Sequence, residues 1–168
     1  MHLRSITPED IPKIAEIHLK AWQTTYKDLL PPIFLSTLSE TAFAGTWHNR
    51  LKGNPPAGFN ILAEAQPQGI VGFASASPEK TVIPRLWGEL NLIYVDPAFQ
   101  RRGAGTALFT TVANKLKAEG YKGLISWMLA GNPSWDFYRK MGGTAQGAKV
   151  ETFGGVPREL VAFEWTFD

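Results

Sequence analysis

Residues 89–108, ELNLIYVDPAFQRRGAGTAL, decide the fold of this chain, because they lead from an apolar strand through a proline break and a glycine-rich loop into a helix. Glycines at the mouth of a helix let backbone N–H groups close around an anion, and the helix dipole favours negative charge there. Arg101 and Arg102, just before the glycines, add positive charge of the kind that pairs with phosphate. The junction therefore predicts a site for a diphosphate group, as in a nucleotide-like cofactor.

Two common phosphate-binding loops do not fit this stretch. A P-loop requires a lysine and a hydroxyl residue after its last glycine, whereas Gly105 is followed by Thr-Ala. A dinucleotide-binding loop requires a small residue where Leu108 stands, and an acid at the end of the next strand. That strand, predicted over residues 124–129, runs into Ala130 instead. A generic nucleotide site of either kind is therefore disfavoured.

The remaining pattern is Gln/Arg-x-x-Gly-x-Gly/Ala after a strand that ends in Tyr-Val-Asp-Pro, here residues 94–105. It resembles motif A of the GNAT superfamily, the acyl-CoA-dependent N-acyltransferases, in which this loop holds the pyrophosphate of coenzyme A. The resemblance implies acetyl-CoA as the acyl donor. It also implies that the pyrophosphate lies against Arg101, Arg102, Gly103, Ala104, Gly105 and Thr106.

Composition narrows the class of protein further. With 168 residues, 44% of them hydrophobic and 19% charged, the chain is expected to form one domain over residues 1–168. A net charge of +2 is too mild to predict nucleic-acid binding. Cysteine is absent, which excludes disulfides, Cys-ligated metals and a Cys nucleophile. With no apolar signal segment or membrane span in the sequence, we expect a cytoplasmic protein without a membrane partner. The sequence leaves open whether the chain forms a homodimer.

Hydrophobic periodicity predicts a mixed, mostly antiparallel central sheet flanked by helices, an α/β fold of the α+β type. The predicted element order is β-α-α-β-β-β-α-β-α-β-β, which is also the order expected of the GNAT fold. The strands bordering the junction are 86–95 and 124–129, and the helix that follows the loop covers 103–119. Near the N-terminus, Thr7 is predicted to cap a helix whose third position is Asp10.

Glu89 is the candidate general base for such a reaction, since acyl transfer to an amine requires the amine to lose a proton. By resemblance, several GNAT enzymes carry a glutamate eleven residues before the residue that corresponds to Gln100 and use it directly or through water. The alternative is a strand-end charge that pairs with Arg85 or another cation. Strict strand alternation predicts two faces, with Glu89, Asn91, Ile93 and Val95 on one and Leu90, Leu92 and Tyr94 on the other.

Tyr138 is the candidate general acid, because a phenol can protonate a departing thiolate. GNAT sequences commonly carry Phe-Tyr at this place, here Phe137-Tyr138. The alternative is a half-buried tyrosine used only for packing.

Asn132 is implied by the resemblance to touch the pantetheine arm of the cofactor. The alternative is that Asn132 caps the following helix with Pro133 behind it.

The resemblance also implies that pantetheine runs along the backbone of Ile93, Tyr94 and Val95, where one N–H would serve as an oxyanion donor.

The site for the acceptor amine is less well specified by the sequence. Trp22 and Tyr26, one helical turn apart, could line an amine pocket with Asn91, with Asp28 or Glu64 attracting the cation. The alternative is core packing. The three histidines, His2, His18 and His48, form no metal-like cluster.

The sequence thus predicts an N-acetyltransferase that transfers an acetyl group from acetyl-CoA to a primary amine, a small molecule or a peptide, in a ternary complex. A ping-pong route through an acyl-cysteine is excluded by composition. The alternative is a non-catalytic acyl-CoA sensor or regulatory module on the same fold. Such a module would keep the loop but would not need Glu89 or Tyr138.

Overall fold

A single seven-stranded sheet organises the molecule in a computed structural model that describes residues 1–52, 58–79 and 86–167. The strands are β1 (His2–Ser5), β2 (Phe59–Ala65), β3 (Gly69–Pro78), β4 (Trp87–Val95), β5 (Gly123–Leu129), β6 (Thr144–Phe153) and β7 (Val156–Thr166). The helices are α1 (Ile11–Thr25), α2 (Pro32–Thr37), α3 (Glu40–Lys52), α4 (Ala104–Ala118) and α5 (Trp135–Lys140). The strand order is β1-β2-β3-β4-β5-β7-β6, and β4–β5 is the parallel pair among antiparallel neighbours. The predicted fold class is confirmed, with one more helix between β1 and β2 than the predicted order contains.

The first helix begins as its sequence predicts. Pro8–Asp10 form a 3-10 turn that leads into α1. The Asp10 carboxylate accepts hydrogen bonds from the Thr7 N–H (2.8 Å) and hydroxyl (3.0 Å), and it pairs with Arg4 of β1 at 2.7 Å. Because fixed donors surround it, the pKa of the Asp10 carboxyl falls to about 2, with Arg4 as the largest cause. This contact fixes the start of α1 against the edge of the sheet.

Each face of the sheet has its own core. On one face, α4 packs through Leu108, Val112 and Leu116 against strand residues that include Leu90. On the other, α1 and α3 pack on the sheet around Phe73. Burial of these large side chains is the main favourable term in folding, and it holds α1 and α4 on opposite sides of β4.

β4 departs from regular pairing at Asn91. Ser75 of β3 lies opposite Leu92 while the next residue, Ala76, lies opposite Leu90, so Asn91 is the extra residue of a β-bulge. Because of this bulge, the alternation predicted along the whole strand is wrong. Leu90 lies on the α4 face together with Ile93 and Val95, whereas Leu92 and Tyr94 lie on the α1–α3 face.

Glu89 changes face relative to the prediction for the same reason. A Cβ added at Gly88 would meet the side chain of Leu116 in α4, so Gly88 and Leu90 both face α4. Alternation then directs Glu89 to the opposite side. The candidate base therefore lies on the α1–α3 face with Tyr94, not with Ile93 and Val95.

Candidate active site

β4 and β5 form a fork. They pair in parallel from Trp87–Gly123 to Glu89–Ile125, and no later residue of β4 is paired with β5 in the described part of the chain. At the apex the Ser126 hydroxyl donates to the Leu90 carbonyl oxygen at 3.1 Å. The backbone edge of residues 91–95 that faces β5 is thus left open, in the region predicted to receive an extended pantetheine arm. The Val95 carbonyl accepts a side-chain hydrogen bond from Gln100 at 3.3 Å.

The glycine-rich loop sits at the wide end of the fork. Gly103 has φ +88°, a left-handed conformation that glycine adopts without strain, and the next residue is already helical. Successive left- and right-handed residues direct neighbouring N–H groups into one concavity that suits an anion. The first intrahelical bond joins Ala107 N–H to the Gly103 carbonyl, so the amides of residues 104–106 have no acceptor inside the helix.

The side chains around the loop fit a phosphate group as well. Arg101 and Arg102 are exposed, and neither forms an ion pair within the residues the structure describes. The Arg102 guanidinium lies over the Phe99 ring, 5.4 Å from its centre, in a cation–π contact. A Cβ built on Gly105 would lie 3.4 Å from the Phe137 ring. The start of α4 is therefore next to α5. A double negative charge could therefore be held here by backbone donors and two arginines.

Asp96 anchors the loop to α1. Its buried carboxylate accepts from Lys20 Nζ at 2.9 Å and from the Ala98 N–H at 2.9 Å, and its own N–H donates to the Val71 carbonyl. Burial raises the pKa of the Asp96 carboxyl, but the bonds from Lys20 and Ala98 together outweigh it and leave that pKa below its usual value. The turn that precedes the glycines is thereby fixed to both the sheet and α1.

Glu89 occupies the apex of the fork, at the last residue of β4 that pairs with β5. Its side chain is half-buried, and within the described residues its carboxylate has no hydrogen bond or ion pair. Arg85, the alternative partner considered from the sequence, lies outside the described residues. A carboxylate at the apex without a fixed partner is available to accept a proton from a bound group.

Tyr138 is buried at the other side of the fork. Its ring packs against Phe163 and Trp165, with ring centres 5.8 and 5.9 Å away. Burial raises the pKa of the Tyr138 hydroxyl above its usual value, the neighbouring Tyr26 raises it further, and hydrogen bonding with Ser126 opposes the rise. Phe163, on which the Tyr138 ring packs, lies directly opposite Ser126 in the β5–β7 ladder, so Tyr138 lies beside one arm of the fork. The packing role predicted as the alternative is present, and the acid role stays a prediction.

Asn132 follows β5 and is 7% exposed. Its Oδ1 accepts from the Ser134 N–H at 2.8 Å, which stabilises the turn before α5. The N-cap of α5 is Ser134, so Pro133 precedes the cap and is not the first helical residue as predicted. The Asn132 Nδ2 group makes no hydrogen bond to any residue that the structure describes, so capping leaves this donor available.

The acceptor-side aromatics form a buried polar cluster on the α1–α3 face. The Tyr26 and Tyr94 hydroxyls lie 3.1 Å apart, and the Trp22 and Tyr26 rings meet edge-on with centres 5.0 Å apart. Burial raises the pKa of both tyrosines. Trp22 Nε1 and Asn91 Oδ1 are buried, with no hydrogen-bond partner of good geometry in the described part of the molecule. Unsatisfied buried groups are costly, which makes this cluster a candidate for ligand contact.

Glu64 and His18 have structural roles. Glu64 pairs with Arg4 at 2.8 Å at the β1–β2 edge and does not belong to the acceptor cluster. His18 is 3% exposed, its ring centre lies 3.9 Å from that of Phe43, and its Nδ1 accepts a 3.4 Å bond from the Trp47 indole. Burial, with a smaller effect from Arg50, lowers the pKa of His18 to about 3. Among the described residues no group of acids and histidines could hold a metal ion.

Sequence reasoning did not identify Ser126 or Arg50. Ser126 was treated only as part of an apolar strand, although a hydroxyl flanked by Ile125 and Trp127 in such a strand is a signal that could have been used. Arg50 was not considered at all. The structure places its guanidinium on the sheet, 2.8 Å from the Ser75 hydroxyl.

An open fork with an anion-binding loop at its wide end defines a class of proteins that bind acyl-CoA thioesters in extended form. A sequence model of the Acetyltransferase (GNAT) family matches residues 12–143. Uncharacterized N-acetyltransferase YuaI of Bacillus subtilis is 34% identical over 138 residues, which cover 82% of this chain and 76% of that protein. This chain therefore belongs to the GNAT acetyltransferase family, and it is an acetyl-CoA-dependent N-acetyltransferase.

Solved structures share the fold. A ribosomal-protein-alanine N-acetyltransferase from Brucella melitensis superposes with a TM-score of 0.76 at 22% identity, covering 99% of this chain and 100% of that one. The structure of yncA, a putative acetyltransferase from Salmonella typhimurium with its cofactor acetyl-CoA, superposes with a TM-score of 0.72 at 19% identity, covering 100% and 94%. No helix in the described ranges combines the length and apolarity needed to cross a membrane.

Proposed function

We propose that this enzyme transfers the acetyl group directly from acetyl-CoA to a primary amine while both are bound, with Glu89 as general base and Tyr138 as general acid. The observation that carries the proposal is the fork. Glu89 lies at its apex, Tyr138 packs on Phe163 beside β5, and the anion-binding loop lies at its wide end.

The loop and the open strand edge would hold the donor. Backbone amides of residues 103–106, together with Arg101 and Arg102, face the pyrophosphate. Main-chain groups of Ile93, Tyr94 and Val95 face the pantetheine arm, and the Asn132 Nδ2 group is a further donor toward it. Acetyl-CoA supplies the acyl group as a thioester, which is already activated toward attack by an amine.

Side chains of the protein would carry out the two proton transfers. Glu89, on the α1–α3 face with the acceptor aromatics, accepts the proton that the amine loses, directly or through a water molecule. Tyr138, like any phenol, is protonated at neutral pH, and it would donate that proton to the departing thiolate. One main-chain N–H of Ile93, Tyr94 or Val95 would stabilise the negative charge that develops on the thioester oxygen. No cysteine is present to form an acyl-enzyme, which favours direct transfer.

The test combines a panel of primary amines with acetyl-CoA and follows release of free thiol. We expect Glu89→Gln to bind acetyl-CoA normally, to lose turnover, and to lose the acidic limb of the pH–rate profile, with a defect that shrinks at high pH where the amine arrives neutral. Glu119→Gln, an exposed acid at the end of α4, serves as the matched control. Wild-type turnover with an unchanged acidic limb in Glu89→Gln would assign the proton transfer to another group.

A non-catalytic acyl-CoA sensor gives a different result in the same assay. It would bind acetyl-CoA but release no thiol with any amine, and Glu89→Gln would then change nothing that is measured. Membership in an acetyltransferase family, together with a Glu89 carboxylate at the apex that is unpaired among the described residues, favours the enzyme.

A further inference from the structure

Arg50 reaches from the last turn of α3 onto the sheet. Its Nη1 donates to the Ser75 hydroxyl at 2.8 Å, and that hydroxyl donates to Asn60 Oδ1 at 2.7 Å. Its guanidinium carbon lies 5.6 Å from the centre of the Trp47 ring. The side chain is therefore held over the sheet by polar and aromatic contacts, and it is not a freely moving surface cation.

The charge of Arg50 is not compensated in the described part of the chain. No carboxylate there pairs with it, and its Nε atom is buried without a hydrogen-bond partner. Burial lowers the pKa of the Arg50 guanidinium from its ordinary value, which reflects the cost of keeping this charge away from water. Half-buried guanidinium groups are normally paired with an anion, often through two parallel hydrogen bonds.

Arg50 and Glu89 lie on the same face of the sheet. Glu89 is directly opposite Ser77 in the β3–β4 ladder, and Ser75 lies two residues along β3 on that face. In a regular ladder such diagonal neighbours have Cα atoms about 7–8 Å apart, and the bulge at Asn91 lies within this span. The Arg50 guanidinium, which contacts Ser75, is thus within a small molecule's length of the carboxylate proposed to deprotonate the amine.

We propose that Arg50 binds a carboxylate on the acceptor, so that the substrate is an amino acid or a similar amine with an acidic group a few bonds from its amino group. The inference rests on the proposed function, since it takes Glu89 as the base that positions the amine. The acceptor would lie across β3 and β4 with its amino group at the apex and its carboxylate against the guanidinium. The bond to Ser75 would fix the orientation of Arg50, and the Nε edge would receive the anion.

The experiment compares amino acids with their amino alcohols, in which a hydroxymethyl group replaces the carboxylate and the amine stays nearly as basic. For each pair, kcat/KM is measured with saturating acetyl-CoA in the wild type, Arg50→Met and Arg50→Lys. Lys52→Met removes an exposed cation two residues away and is the matched control. Calorimetric titration of the amino acid into the protein–coenzyme A complex gives a readout besides activity, and thermal melting reports on the fold.

We expect the wild type to prefer amino acids and Arg50→Met to reduce that preference about 10- to 100-fold, mostly through KM. This range corresponds to the loss of a hydrogen bond to a charged group. Arg50→Lys should restore part of the preference, because the charge remains but the planar fork does not. Binding of the amino acid to the coenzyme A complex should weaken in parallel, and Lys52→Met should behave as the wild type.

Two results would overturn the assignment while leaving the proposed function intact. One is a wild-type enzyme that acetylates amino alcohols as well as amino acids. The other is an Arg50→Met variant that loses both activities equally together with its thermal stability, which would show that Arg50 only ties α3 to the sheet. Release of no thiol with either member of any pair, while another amine of the wider panel is acetylated, would also overturn the role of Arg50; release of no thiol with any amine of that panel would refute the proposed function itself.

Discussion

Replacing Tyr138 by phenylalanine removes one hydroxyl and leaves the ring that packs against Phe163 and Trp165. If the hydroxyl protonates the thiolate, kcat should fall about 10²- to 10⁴-fold, the usual contribution of a general acid. This loss corresponds to about 3–5 kcal/mol in the barrier. The folding cost should be much smaller, about 1 kcal/mol for the loss of one buried hydroxyl, or roughly 2–4 °C in melting temperature.

The assay is thiol release at saturating acetyl-CoA and amine, together with calorimetric affinity for acetyl-CoA and thermal melting. Tyr121→Phe, in the turn between α4 and β5, removes a phenol away from the fork and is the control. In the wild type, the raised pKa of Tyr138 keeps its proton in place as pH rises, so we expect no loss of rate below about pH 10 from this group. Equal kcat in Tyr138→Phe and wild type, with chemistry shown to limit the rate, would refute the reasoning and leave Tyr138 a packing residue.

Three further substitutions test the loop, the first helix and the core. Gly103→Val places a β-branched residue at φ +88°, so it should cost roughly 1–2 kcal/mol of stability and weaken acetyl-CoA binding strongly; unchanged calorimetric affinity would contradict the cofactor site. The lowered pKa of Asp10 means that its ion pair with Arg4 stabilises the fold above about pH 4 and loses this effect as pH falls towards 2. Asp10→Asn should therefore be less stable in urea at pH 7, and the difference should vanish near pH 2. Gly143→Ala places a Cβ 2.5 Å from the Trp165 ring and 2.9 Å from the Phe163 ring, so unfolding free energy should drop by about 1–3 kcal/mol, and a Trp165→Leu background should remove only the part of that cost that the indole causes.

The sequence predicted most of the fold because its signals are local. Proline and glycine mark the ends of the strand and helix around the cofactor loop, and Asp10 together with Thr7 forms the predicted start of α1. The apolar spacing of α4 predicts the residues that it buries. In each case the chain within one or two turns carries the information needed, so no knowledge of distant partners was required.

The faces of β4 were mispredicted because a bulge is a property of two strands. Nothing in residues 89–95 alone shows that Ser75 and Ala76 skip Asn91. The contact of Arg50 with Ser75 is hidden for a similar reason, since the two lie 25 residues apart on different elements. The fork itself was implied only by family resemblance, because the separation of β4 from β5 depends on how α4, α5 and the bulge pack together.

The sheet could form without Asn91. Without it, residues 89–95 would pair regularly with β3, and Leu90, Leu92, Ile93, Tyr94 and Val95 would each keep the face that they now have. A chain shortened by this one residue would lose no core contact and would gain a continuous ladder. The extra residue therefore interrupts the regularity of the β3–β4 ladder, and in the proposed reaction it would set the spacing between Glu89 and the loop of residues 101–106.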